Sequence, residues 1–185
     1  PIEEVIKVDQ RDEQTVYNEI SEYIFTKRIK EQYRDVLQAI ADGPGDPTEA
    51  VGVWVSGFFG SGKSSFAKNL GHLLANRSLL GTPAGKLFIQ QLRSQPPIDD
   101  VATKIEDLVK FINVRIPSHV IMLDVRLDQA VHRTTGSITE ILYTVLLREL
   151  DYAQDYDVAN LEMELEAEKR LADFVTICAG LYRDQ

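Results

Sequence analysis

Apolar residues recur at helical spacing along most of the chain, and two short runs break that rhythm. From about Asp12, Val16, Tyr17, Ile20, Tyr23 and Ile24 share one face; the phase then slips, and Ile29, Tyr33, Val36, Leu37 and Ile40 form a second stripe. This predicts two helices with Thr26 as the cap between them. Phe66, Leu70, Leu73 and Leu74 predict a third helix, and Ile98, Ala102, Ile105, Leu108, Val109 and Ile112 another, closed by Pro117. Leu87-Phe88-Ile89 fits a helical turn or a short strand equally well. Ser137, with Glu140 at the capping-box position, predicts the start of a helix carrying Ile138, Ile141, Leu142, Val145, Leu146 and Leu150. Beyond Asn160, Leu161, Leu165, Leu171, Val175, Cys178 and Tyr182 alternate with acidic residues. Glu162, Glu164, Glu166 and Glu168 read there as a solvated face.

The two exceptions are Val51 to Ser56 and Val120 to Asp124, short apolar runs of the kind a buried parallel strand shows. Residues 1–9 read as an edge strand or extended arm. Asp42 to Thr48 is turn chemistry throughout, and Asn76 to Gly85 reads as loop. The pattern divides the chain into an arm and helices over residues 1–48 and a core over 49–185. The expected fold of that core is α/β, and the motif at residues 57–64 makes it a P-loop NTPase core. Its parallel sheet carries helices on both faces, and the leading helical segment packs against it.

That expectation comes from the stretch after the first strand-like run. Gly57-Phe58-Phe59-Gly60-Ser61-Gly62-Lys63-Ser64 matches G-x-x-x-x-G-K-[ST], set between a strand-like run and a helical one. Glycines at 57, 60 and 62 free the backbone to turn successive N–H groups inward around phosphate oxygens. Lys63 is the expected catalytic cation on the β- and γ-phosphates, and the Ser64 hydroxyl the expected Mg²⁺ ligand. The cofactor-binding set is Gly57, Phe58, Phe59, Gly60, Ser61, Gly62, Lys63, Ser64 and Ser65, with the helix dipole aimed at the same anion. Tyr17 and Tyr23 fit either core positions, the preferred reading, or stacking on a base.

Composition narrows this further. An apolar content of 44% and a charged content of 26% are those of a globular chain, and no apolar run reaches the length of a membrane span. The lone Cys178 and the lack of a recognisable leader point to a reducing cytoplasm. A net charge of −9 argues against a broad nucleic-acid surface; the Lys27, Arg28, Lys30 and Arg34 cluster reads as a solvated helix face.

Hydrolysis requires more than phosphate binding. Asp124 ends the second strand-like run and is a candidate second metal-side residue, but Val125-Arg126 follows where an ATPase commonly carries a glutamate. Arg126, Arg133 and Arg148 are candidates for an arginine acting in cis. No N-K-x-D string occurs, which favours ATP over GTP. His72, His119 and His132 lack metal-ligand spacing, and no nucleophile-elbow context supports a Ser/His/Asp hydrolase.

Taken together, Val16 to Tyr23, Gly52 to Phe66 with its double phenylalanine inside the loop, and Leu70 to Asn76 resemble the amino-terminal part of the P-loop ATPases of bacteriophage-exclusion (BREX) systems, the BrxC/PglY family. The resemblance covers roughly residues 5–76 and is thinner afterwards. It implies an AAA-like ATPase in an anti-phage defence complex, of which this chain is a leading piece, with Mg²⁺ and ATP as cofactors. It further implies other defence proteins as partners, DNA reached through the complex rather than this acidic segment, and a possible homo-oligomer. Only Gly57, Gly60, Gly62, Lys63 and Ser64 carry over residue by residue. Two other functions remain open on the residues alone. One is a small-molecule P-loop kinase using Arg126, Asp128 and Arg133; the other is a nucleotide-dependent interaction module without turnover.

Overall fold

The Asp12 carboxylate accepts from the Thr15 backbone N–H at 2.8 Å and caps α1, Glu13–Ser21. Thr26 does the same for α2, Lys27–Asp42, where its Oγ1 accepts from the Ile29 N–H at 3.3 Å, as the sequence predicts. The phosphate-loop motif runs into α3, Lys63–Ala75, and Ala84–Ser94 forms α4. Leu87-Phe88-Ile89 is thus helical. Asp99 caps α5, Asp100–Arg115, which stops just short of Pro117. The computed structural model describes residues 12–43, 52–96, 99–123 and 138–181, and the chain divides into two units, one ending at Met122 and one beginning at Leu123.

In the first unit α2 packs on α5, α1 on α4, and α3 against both α4 and α5. The stripes read from the sequence supply the core. Ala102, Ile105, Leu108, Val109 and Ile112 of α5 are all buried, and so are Tyr33 and Leu37 of α2. Gly71 of α3 lies close against the following chain, where an added Cβ would fall 2.7 Å from the Met122 sulfur.

An aromatic cluster joins the elements. Tyr33 lies 4.3 Å from Phe66 and 5.1 Å from Phe88 between ring centroids, and Phe25 meets Phe88 edge-on at 4.9 Å. The Tyr33 hydroxyl donates to the Phe66 carbonyl at 3.1 Å, so the one polar atom of this buried ring is satisfied.

The parallel α/β core expected from the sequence is corrected by this arrangement. Among the described residues the only sheet is the antiparallel pair β1, Ser78–Leu79, and β2, Thr82–Pro83, which lies inside the stretch read as loop. Residues 52–56, from the run expected as a buried parallel strand, have no regular secondary structure. Val53, Trp54 and Val55 are exposed there, Trp54 to 92%. Residues 120–123 likewise form no strand. The physical reason is that a strand exists only through its ladder partners. Here the apolar faces of α1 to α5 cover one another, and no sheet layer lies between them.

The second unit comprises α6, Ile138–Glu149, α7, Tyr156–Ala167, and α8, Leu171–Leu181. Asp155 caps α7 through the Asp157 and Val158 N–H groups, and Tyr143 meets Tyr156 at 5.1 Å. Glu164, Glu166 and Glu168 are exposed as the sequence suggests, and Glu166 also accepts from the Tyr152 hydroxyl. Glu162 is instead half-buried and accepts from the Ala153 N–H at 2.6 Å. Ser137, the predicted cap of α6, lies outside the described residues.

Two outcomes test this fold. Trp54 is the single tryptophan, so native fluorescence should have the red-shifted maximum of a hydrated indole and be fully open to iodide quenching. A blue-shifted, protected emission would restore the buried strand. Burial first, then the charges of Lys68 and Arg77, lower His72 from its ordinary 6.5 to about 4. The unfolded chain therefore takes up a proton that the folded one refuses. Stability falls as pH drops from about 6.5 toward 4, and in urea titrations His72→Gln should flatten that part of the profile.

Candidate functional site

Residues 57–62 turn sharply before α3, where two glycines take left-handed conformations that other residues adopt only at a cost: Gly60 has φ 77° and Gly62 φ 83°. Gly57 meets a different limit, since an added Cβ there would stand 2.7 Å from the Ser61 hydroxyl oxygen. The turn closes with the Ser61 N–H donating to the Phe58 carbonyl at 3.2 Å.

Lys63 folds back over this turn. Its Nζ donates to the Gly57 carbonyl at 2.9 Å and to the Phe58 carbonyl at 2.7 Å. An ammonium has three protons, so these contacts leave one for an incoming oxygen. Gly62 caps α3 with no side-chain hydrogen bond, and the first helical bond runs from the Phe66 N–H to the Gly62 carbonyl at 2.9 Å. The first-turn N–H groups of α3 thus point at the same place as the lysine, with the positive end of the helix dipole behind them.

The loop opens into a cleft of about 670 Å³ within the first unit, a size common for small-molecule sites. Gly60, Ser61, Gly62, Lys63 and Ser65 form its loop end. Tyr23, Ile24, Ile29 and Val36, from α2 and the connection before it, form an apolar wall. That connection is held by α4. The Tyr23 carbonyl accepts from the Gln91 side-chain amide at 3.0 Å and from that of Gln95 at 2.7 Å, and Gln95 in turn accepts from the Phe25 N–H at 2.8 Å. Tyr17 and Tyr23 both pack against the core, and Tyr23 also lines the cleft; burial pushes its hydroxyl above the ordinary range.

The sequence-predicted site residues separate in space. Ser64 lies exposed in the first turn of α3 and Ser65 lines the cleft, whereas Phe58 and Phe59 sit on the loop and are exposed. Asp124, Arg126, Asp128 and Arg133 lie outside the described residues. Within the cationic stretch of α2, Lys30 is buried, unlike the solvated face expected. Sequence reasoning missed the polar residues of the cleft wall. Glu19 of α1 and Lys68 of α3 form an ion pair at 2.6 Å, with Lys68 only 2% exposed, and Asn69 is buried beside it. No local signal marks them, because a lysine on a helix ordinarily faces water.

Among the described residues no group of three or more histidine, cysteine or acidic side chains stands ready for a metal. Magnesium needs no such cage, since it keeps several waters and binds through substrate phosphates and one or two protein oxygens; Ser64, the expected ligand, is exposed and is not among the residues that line the cleft. No helix among the described residues is long and apolar enough to cross a membrane. No protein-family model matches the chain, and no solved structure matches it.

The positive φ of Gly62 makes a sharp prediction. Gly62→Ala should cost roughly 1–2 kcal/mol of stability for a left-handed alanine, read as a lower thermal midpoint. Gly52→Ala, where no heavy atom stands within 4 Å, should cost much less.

Proposed function

We propose that this chain binds Mg-ATP across the 670 Å³ cleft, with the phosphates on residues 57–65 and the base against Tyr23, Ile24, Ile29 and Val36. The observation that carries the reading is the lysine. Lys63 is held by the Gly57 and Phe58 carbonyls over a glycine turn, at the mouth of a helix whose first N–H groups are uncapped. A surface lysine normally extends into water; one tied to its own loop is placed for an anion. Glu19, Glu22 and Asp35 line the same cleft, so a bare triphosphate would meet repulsion that a divalent cation offsets. Adenine is favoured over guanine by the absence of an N-K-x-D string.

In this reading the module is a nucleotide switch acting in the cytoplasm within an anti-phage defence complex. Its place there rests on the sequence resemblance alone. Turnover is a separate matter, since it often calls on an arginine at the developing charge, and no arginine is among the described residues that line the cleft. One observation favours the interaction-module reading: Phe58 and Phe59 are exposed on the loop itself, so its occupancy would bear directly on an apolar surface.

Calorimetric titration tests the proposal. Mg-ATP should bind the chain and outcompete Mg-GTP, and Lys63→Ala should weaken binding roughly tenfold to a hundredfold, the worth of a charge-assisted hydrogen bond. Undiminished binding by the variant would place the phosphates elsewhere; no binding by the native chain would end the reading.

A further inference from the structure

The Glu19–Lys68 pair is more than a strut between α1 and α3. Both glutamate oxygens lie on the lysine, Oε1 at 2.8 Å and Oε2 at 2.6 Å from Nζ. The exposure of the two partners is unequal: the Lys68 side chain is 2% exposed, whereas Glu19 retains 18% and lines the cleft. Both partners line the cleft, but the carboxylate is the more open of the two, and a carboxylate can only accept hydrogen bonds. A lone carboxylate beside a triphosphate would repel it. Lys68 cancels that charge and leaves a fixed group that can only accept hydrogen bonds.

We infer that Glu19 is a specificity residue for the sugar, accepting a hydrogen bond from a ribose hydroxyl of the bound nucleotide. The inference rests on the nucleotide reading given above. Three features of the cleft converge on it. Glu19 and Lys68 line the same cleft as Lys63 and the glycine turn, so one ligand can meet both the lysine of the turn and the carboxylate. The apolar wall of Tyr23, Ile24, Ile29 and Val36 suits the faces of a base rather than hydroxyls. Among the parts of a nucleotide, the sugar carries hydroxyl donors, the complement of an acceptor-only group. A pair inside a packed core would serve stability alone, and would be expected to close both partners off from the cleft.

The test compares Mg-ATP with its 2′-deoxy and 3′-deoxy analogues on the full 185-residue chain by calorimetry. The native chain should bind at least one analogue about tenfold more weakly than ATP, the size of one charge-assisted hydrogen bond partly open to water. Glu19→Gln should bring ATP down to the level of that analogue. Because this variant strands a buried ammonium, Glu19→Gln combined with Lys68→Met serves as the second variant, with thermal melting recorded for both. Loss of sugar discrimination in whichever variant keeps the native melting profile supports the assignment. Equal binding of ATP and both analogues by the native chain overturns it while leaving the nucleotide site intact. Retained discrimination in a folded variant also overturns it, and failure of the native chain to bind ATP at all removes both readings together.

Discussion

The first unit depends on what Tyr33 does with its two ends. Its ring fills the space between Phe25, Phe66 and Phe88, so one side chain of α2 touches the connection after α1, the start of α3 and the middle of α4. Its hydroxyl ends on the Phe66 carbonyl. A phenylalanine would fill the same volume but leave that carbonyl one donor short; a smaller residue would open a cavity at the meeting point of three helices. Burial drives the phenol's proton affinity far above the usual tyrosine range, so the hydroxyl stays a donor across ordinary pH. The geometry of the cleft follows from this contact. Phe66 is one turn into the helix that begins at Lys63, and Tyr23, in the cleft wall, stands 6.2 Å from Tyr33.

Two kinds of polar support complete the site, and they differ in strength. Gln91 and Gln95 hold the Tyr23 carbonyl with neutral hydrogen bonds, each worth on the order of 1 kcal/mol. The Glu19–Lys68 pair is a buried ion pair, which contributes little net stability against an apolar substitute but is costly to break on one side only. The apolar wall of the cleft is therefore adjustable in small steps. The contact between α1 and α3 is present as a pair or is lost with a large penalty.

The helices were legible in the sequence because their signal is local. The Ile105, Leu108, Val109 and Ile112 stripe of α5 and the Thr26 cap of α2 are each written within one or two turns, and the structure places them as the spacing requires. The glycine turn that leads into α3 was legible for the same reason: glycine spacing and the Lys63 position are properties of one octamer. The sheet was not. Val53-Trp54-Val55 reads as a buried strand only on the assumption that neighbours pair with it, and an apolar run of that length carries no record of its partners. The cleft wall was hidden more deeply, since Glu19 and Lys68 are 49 residues apart and each looks like an ordinary helix-surface charge until α1 and α3 meet.

The uncharged stretch from Gly52 to Gly57 has a colloidal consequence. It sets Val53, Trp54 and Val55 in water with no lysine, glutamate or proline among them, lacking the devices by which proteins blunt an open edge. What holds copies apart is instead long-range: a net charge of −9 at neutral pH, spread over the rest of the molecule. Salt screens that repulsion and acid removes it as carboxylates protonate, while the apolar stretch is indifferent to both. Solubility of this chain is thus a balance between a fixed short-range attraction and a repulsion set by the buffer. Dilute salt and neutral pH are the conditions under which single molecules persist.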